Sequence, residues 1–270
     1  MEAPSAKQEV GSESPDHVQV SLAPALSPSI ISDIQTDVFC FQSGRIKHFS
    51  DSRKSLTSDP DILQTVNRLK LEFNGLVPGQ PSPSSEQTKL NSTEREVIGL
   101  EIQKLADKGV ISLCTQEPGQ FVSLVFTHPK KDGNHRMILD LKKLNKSILY
   151  RPFKMDTLQS ALQLVTQGCN MASIDLKDVF FSIPIFPEHK KIPRFVWKKQ
   201  LWQFDAMPNG LELAARKFTK VMKPVFATLR RKGHISTAFI DDSLLVAKSK
   251  SILNLHVAYT IWEWSLTQFI

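Results

Sequence analysis

Residues 233–249, GHISTAFIDDSLLVAKS, constrain this chain more than any other stretch. Two short apolar arms, Ile235 to Ile240 and Ser243 to Ala247, flank the adjacent Asp241 and Asp242. Runs this short, rich in β-branched and large apolar residues and entered from Gly233, predict strands rather than helix. Joined by two residues, they predict a tight hairpin. Such turns favour Gly or Asn, because their central residues take backbone angles that other side chains resist. Here two like charges stand in or beside the turn, and folding alone does not require them. A cation would relieve their repulsion, and hard divalent ions such as Mg²⁺ take carboxylate oxygens. A solvated acidic turn is the alternative that the stretch by itself leaves open.

Charge is where composition enters. The 270 residues carry a formal net charge of +7, unevenly spread. From Phe126 to Ser236 there are 21 Lys and Arg against 8 Asp and Glu. That excess accompanies Phe180, Phe181, Phe195, Trp197 and Trp202, a mixture suited to a polyanion with bases to stack on, or else to a solvated basic surface. Cys40, Cys114 and Cys169 are widely separated, with neither metal-site spacing nor a disulfide framework, which predicts a reducing interior. No run of about 18 apolar residues and no charged-then-apolar leader occurs, so neither a membrane span nor a signal peptide is expected.

In chain order, residues 1–30 are rich in Ser, Pro, Ala and Glu without a sustained period and are expected to be disordered. Residues 31–76 hold short apolar patches, with a helix predicted from Ile62 to Leu71, and 77–92 reads as a Pro-rich linker. Order is expected from residue 93, where Thr93 and Glu96 match a capping box for a helix that Gly109 ends. FVSLVFTHP predicts one strand, and the Asp132-Gly133 turn returns the chain as a second, with Lys130 and Arg136 near the tip. A Lys and Arg pair suits phosphate, although the stretch on its own favours an exposed hairpin with ordinary solubilising lysines. Asp156 is expected to cap a short helix. Asp175 then ends an apolar strand, followed by Asp178, Phe180 and Phe181; an ionised carboxylate there is costly to bury unless paired or metal-bound. Another hairpin is predicted around Lys198-Lys199-Gln200. Met207-Pro208-Asn209-Gly210 forms a turn into a basic helix from Glu212 to Lys232, which Pro224 should kink or interrupt.

The stretches VFTHPKKDGNHRMILDLKKLN, SIDLKDVFFSIPI, MPNGLELAARKF and FIDD stand in that order between roughly residues 94 and 250. Each is weak alone. Together, at this spacing, they resemble a reverse transcriptase, most like those of DIRS-like and related long-terminal-repeat-type retrotransposons. GRIKHFSDSRKSLTSDPDILQTVNRLKLEF is similar to the segment such elements carry upstream. The resemblance implies an α+β right-hand polymerase, with fingers and an antiparallel palm sheet packed on helices over 93–250. It implies an RNA-directed DNA polymerase using two Mg²⁺ ions, or Mn²⁺ in their place, with dNTP and an RNA or DNA template-primer as partners. An intracellular location, cytoplasm or nucleus, follows, and the oligomeric state stays open.

By motif match, Asp175, Asp241 and Asp242 would hold the metal. Lys130 and Arg136 would meet the triphosphate, and Phe180 would lie under the sugar and reject a 2′-hydroxyl. Asn209 and Gly210, with Pro208, would line the nucleotide and template pocket, and Arg216, Lys217 and Lys220 would face nucleic acid. Asp178 matches a backbone-facing position without a catalytic role. Val179 replaces a smaller residue and is expected to crowd the pocket. After Lys250, SILNLHVAYTIWEWSLTQFI departs from the helix, lysine-bearing loop and thumb that the resemblance implies, and no ribonuclease H segment follows. Residues 251–270 are therefore expected to be an atypical tail on a truncated product of low or no activity. A non-catalytic nucleic-acid-binding remnant is the alternative.

Overall fold

The computed structural model describes residues 41–75, 90–130 and 135–266. The 1–30 segment, most of the 77–92 linker and the Asp132-Gly133 turn lie outside them. The upstream stretch opens with a 3₁₀ turn, Arg45–Phe49, and two helices, α1 (Ser50–Leu56) and α2 (Pro60–Asn67). Asp59 caps α2, its carboxylate accepting from the N–H groups of Asp61 and Ile62, and Pro60 occupies the first turn, where a missing N–H costs nothing. The helix starts earlier than its apolar pattern and stops at Asn67. Leu69 instead exchanges backbone hydrogen bonds with Pro184 and Phe186.

Helix α3 (Ser92–Asp107) buries Ile98, Ile102 and Leu105, and Gly109, at φ 66°, turns the chain out of it. Its capping box is Asn91 with Glu94, not Thr93 with Glu96. Asn is the stronger cap, and it takes the position even though the other pair has the same spacing.

The strands among the described residues are β1 (Ile111–Leu113), β2 (Val122–Ser123), β3 (Val125–Pro129), β4 (His135–Leu139), β5 (Asn170–Asp175), β6 (Arg194–Trp197), β7 (Gln200–Phe204), β8 (Ile235–Phe239) and β9 (Asp242–Ala247). There they form three sheets, ordered β1-β7-β6-β2, β3-β4 and β5-β9-β8. FVSLVFTHP, expected as one strand, divides at Leu124. β2 runs parallel to β6 while β3 pairs with β4, and the Leu124 carbonyl accepts from Asp140 N–H between them. The β6–β7 turn is Lys198-Lys199, both at positive φ, as the twist of a two-residue hairpin demands.

Between strands lie α4 (Lys142–Asn145), α5 (Leu158–Leu162) and α6 (Ala214–Arg231), and α7 (Lys250–Leu266) follows the last of them. Thr157, not Asp156, caps α5, through a box with Ser160. α6 runs unbroken across Pro224. Losing one helical bond and accommodating the ring costs about 3 kcal/mol. The buried Phe218, Val221, Met222, Val225, Phe226 and Leu229 offset that at about 1.5–3 kcal/mol each.

The main core joins α6 to residues far upstream: Ile46, Ile62, Val66, Leu69 and Leu71 pack in one cluster with Phe121, Leu144, Ile183 and Phe218. Arg53 is fully buried against α6 and donates to the Val221 carbonyl at 3.0 Å; burial lowers its pKa to about 9. The upstream stretch is thus part of the same body as α6 and shares its core. The segment after Lys250, expected to be an atypical tail, is the helix α7. It buries Leu253, Val257 and Trp264, and Trp264 meets Phe226 edge-on at 6.1 Å. Among the described residues no helix is long and apolar enough to cross a membrane.

Candidate functional site

The hairpin predicted around the paired aspartates forms, with its turn one residue earlier than expected. Phe239 pairs with Asp242, so the two linking residues are Ile240 and Asp241, and Asp242 begins β9. Asp242 stands directly opposite Asp175, the last residue of β5. Directly opposed residues of an antiparallel pair share a face. The Leu176 N–H also donates to the Asp241 carbonyl at 3.1 Å, tying the end of β5 to the turn.

Neither Gly nor Asn makes this turn. Ile240 does, at φ 55°, where a β-branched side chain is strained by roughly 1–2 kcal/mol. Strain of this kind persists only where the surroundings over-determine it, and it concentrates at functional sites.

Asp175, Asp241 and Asp242 are all exposed. The Asp242 carboxyl is pushed above the usual carboxylate range, by partial burial first and then by the negative charges of Asp241 and Asp175. That mutual repulsion, among donors that are all hard oxygens, fits a divalent cation. Among the described residues no three His, Cys, Asp or Glu side chains are gathered tightly enough to hold an ion as they stand.

Around this edge the other expected residues are disposed unevenly. Asp178, at φ 58°, opens the 3₁₀ turn Val179–Ser182 and pairs with Lys108 Nζ at 2.6 Å. Phe180 is half-buried and meets Phe218 edge-on at 5.7 Å. Val179, expected to crowd the pocket, instead lies in the main core. A cavity of about 130 Å³ brings Met137 and Leu139 of β4 together with Asp178, Pro208 and Asn209. Gly210 takes φ 85° in the turn beside it. Lys130 and Arg136 are exposed at the outer end of the β3–β4 hairpin. Of the aromatics expected to stack on bases, Phe181, Phe195 and Trp197 are buried in the second core and unavailable.

Arg216 and Lys217, expected to face nucleic acid, are instead buried in internal ion pairs. They are 6% and 3% exposed and turn inward to the upstream segment. Lys217 Nζ pairs with Asp61 and, at 3.2 Å, with Glu72; Arg216 reaches Glu72 at 3.5 Å, and Lys220 reaches Asp61 at 3.1 Å. The first turns of α6 lie against α2, so Arg216 and Lys217 meet Asp61 of α2 and Glu72 just beyond it rather than solvent, while Lys220 stays partly exposed. Burial would raise the pKa of both acids, but Lys217 with Lys220 on Asp61, and Lys217 with Arg151 on Glu72, hold them below the usual range.

The Asp61→Ala/Glu72→Ala variant should therefore lose about 3–5 kcal/mol at neutral pH, because buried cations are left unpaired. Lys217→Met, which leaves both acids other partners, should cost less. Depressed pKa values stabilise the fold fully above the ordinary carboxylate pKa of about 4, and the contribution fades as pH falls below it. Urea unfolding should show the gap between wild type and the double variant closing on acidification. A gap constant from about pH 7 to about pH 3 would contradict this pairing.

Two further side chains bind the elements beside this edge, in roles the sequence does not announce. Asn145 donates to the Gly210 carbonyl and accepts from Glu212 N–H, both at 2.9 Å, bracketing the Gly210 turn. Asp156, expected as a helix cap, binds β8 instead, through Thr237 and Ala238. No local pattern announces either role, since the partners lie 65 and 81 residues away.

Residues 128–264 match the family model described as reverse transcriptase (RNA-dependent DNA polymerase). The chain is 24% identical over 178 residues to a Pro-Pol polyprotein of Simian foamy virus type 1, a match covering 66% of this chain and 15% of that polyprotein. It is 30% identical over 142 residues to a Gag-Pro-Pol polyprotein of Mouse mammary tumor virus (strain BR6), covering 48% and 8%. To the Transposon Tf2-3 polyprotein of Schizosaccharomyces pombe (strain 972 / ATCC 24843) it is 23% identical over 198 residues, covering 73% and 13%. The matches thus span at most 15% of the length of these polyproteins. The crystal structure of a Prototype Foamy Virus protease-reverse transcriptase superposes with a TM-score of 0.57 at 17% identity, covering 84% of this chain and 32% of that one. At that identity the likeness is one of fold.

Proposed function

This chain belongs to the reverse transcriptase family, and from that premise we propose that it is the fingers and palm of an RNA-directed DNA polymerase from a retroelement polyprotein. One observation carries the reading: Asp175 opposes Asp242 across two strands, with Asp241 in the strained turn between β8 and β9. In this reading the three carboxylates, drawn closer than they stand here, would hold two Mg²⁺ ions, or Mn²⁺ in their place. Such ions, when bound, supply activation of a primer 3′-hydroxyl and charge neutralisation of the leaving pyrophosphate.

The chain's own residues supply placement, which is most of what phosphoryl transfer asks of a protein. Lys130 and Arg136 offer a point charge and a fork to the triphosphate of a dNTP. Phe180, steadied edge-on by Phe218, sits under the sugar and excludes a 2′-hydroxyl. Asn209 and Gly210 line the pocket for the nucleotide and template, and Asn145 keeps their turn in shape. The basic excess between Phe126 and Ser236 attracts the template-primer electrostatically, so affinity should fall steeply with salt. Because Arg216 and Lys217 are committed to internal pairs, that attraction comes from exposed cations elsewhere.

The test is incorporation of labelled dTTP on poly(rA) primed with oligo(dT), with Mg²⁺ or Mn²⁺. We expect incorporation at a low level, which EDTA abolishes. Salt-sensitive binding of the template-primer without incorporation under either metal would overturn the polymerase reading in favour of a binding-only remnant.

A further inference from the structure

We propose that Asp156 is a positioning residue for the Asp241–Asp242 pair, holding the outer strand of that hairpin in place together with Arg230. The proposal rests on the metal-site reading of these carboxylates given above. Among the described residues β8 is an edge strand whose sheet partner is β9. The outward N–H and C=O groups of an edge strand need partners from elsewhere.

Side chains supply them here. One oxygen of Asp156, Oδ2, accepts from the Ala238 N–H at 3.2 Å and from Thr237 Oγ1 at 2.8 Å. Arg230 Nε donates to the Ser236 carbonyl at 3.2 Å, and Arg230 Nη2 donates to the same Asp156 oxygen at 3.1 Å. The clasp therefore ties β8 to α6 and to the segment just before α5. It grips the strand at Ala238, immediately ahead of Phe239 and the Ile240-Asp241 turn.

The turn requires such a hold. Ile240 at φ 55° is strained, and a relaxed turn would swing Asp241 away from Asp175. Apolar packing secures this side only in part, because Ala238 and Ile240 line a cavity of about 210 Å³ together with Asp156 and Arg230. Hydrogen bonds from the strand's free edge then decide where the turn sits. A carboxylate suits this role. Burial would push its pKa up, but Thr237, Ala238 N–H and Arg230 outweigh burial and keep it below the usual range. Asp156 contacts Thr237, Ala238 and Arg230. It acts through β8.

The experiment measures Mn²⁺ binding to the full chain by electron paramagnetic resonance, with Asp175→Asn defining the site-specific component. Asp156→Ala removes every bond that the carboxylate makes to β8 and to Arg230. Asp156→Asn keeps an oxygen for Thr237 and Ala238 while losing the charge opposite Arg230. Outer residues that orient ligands typically cost about 10–100-fold in metal affinity when removed. We expect Asp156→Ala to weaken site-specific Mn²⁺ binding at least about tenfold, with Asp156→Asn in between. Template-primer affinity should stay unchanged in both. If Asp156→Ala does not fold, the near-isosteric Asp156→Asn decides. A folded variant that loses thermal stability but binds Mn²⁺ like wild type would make the role merely structural and overturn the proposal. Wild-type protein whose Mn²⁺ binding is indifferent to Asp175→Asn would sink the metal-site reading itself, and this proposal with it.

Discussion

A chain from which residues 41–75 have been removed is expected to lose its cooperative unfolding transition altogether. Family-level matching begins only at residue 128, so such a deletion would leave that match untouched. The structure says otherwise. Ile46, Ile62, Val66, Leu69 and Leu71 are all at most 6% exposed and share one core with α6. At about 1.5–3 kcal/mol each they contribute on the order of 10 kcal/mol, the whole of a typical net stability of about 5–15 kcal/mol. The deletion also strips Asp61 and Glu72 from Arg216 and Lys217, leaving two buried cations uncompensated. Near-ultraviolet circular dichroism and urea titration would read the outcome. A deleted chain that melts cooperatively at the wild-type midpoint would show that the upstream segment is an accessory layer.

Asp175→Asn and Asp241→Asn, each made alone, should reduce nucleotide incorporation by more than about a hundredfold. Asn keeps the shape and removes the charge. Stabilisation of transition-state charge by a bound metal is worth several kcal/mol, and each ~1.36 kcal/mol is tenfold in rate. Both residues are exposed, so folding should change by no more than about 0.5 kcal/mol. Template-primer affinity should hold or rise slightly, because a negative charge is lost near a polyanion.

Asp242→Asn should separate activity from stability in the opposite sense. Its carboxyl pKa is raised, so ionisation costs stability above that folded pKa and the cost vanishes as pH falls. Neutralising it should raise the urea midpoint while lowering incorporation. An Asp242→Asn variant both destabilised and fully active would refute the placement of these three groups.

What the sequence determined by itself was local. Gly109, Gly210 and Gly233 mark where elements end or turn, because a residue's own backbone freedom decides that position. Short β-branched arms around Asp241 and Asp242 made a hairpin legible, and the order of four motifs made the family legible.

Tertiary structure decided what depends on distant partners. Which aspartate occupies the turn follows from the β8–β9 register, and that register moved it to Ile240-Asp241. Arg216, Lys217 and Lys220 carry the same charges whether they face nucleic acid or Asp61; only the packing of α6 against α2 chose, some 156 residues away in sequence. The residues after Lys250, expected to be an atypical tail, lie within the family match as far as residue 264, and they form α7 because β5, β9 and α6 offer an apolar surface to cover. Asp156 and Asn145 are ordinary polar residues until the fold brings Ala238 and Gly210 to them. A side chain's charge and period are written in its neighbours along the chain, whereas its partner is set by which surfaces exclude water together.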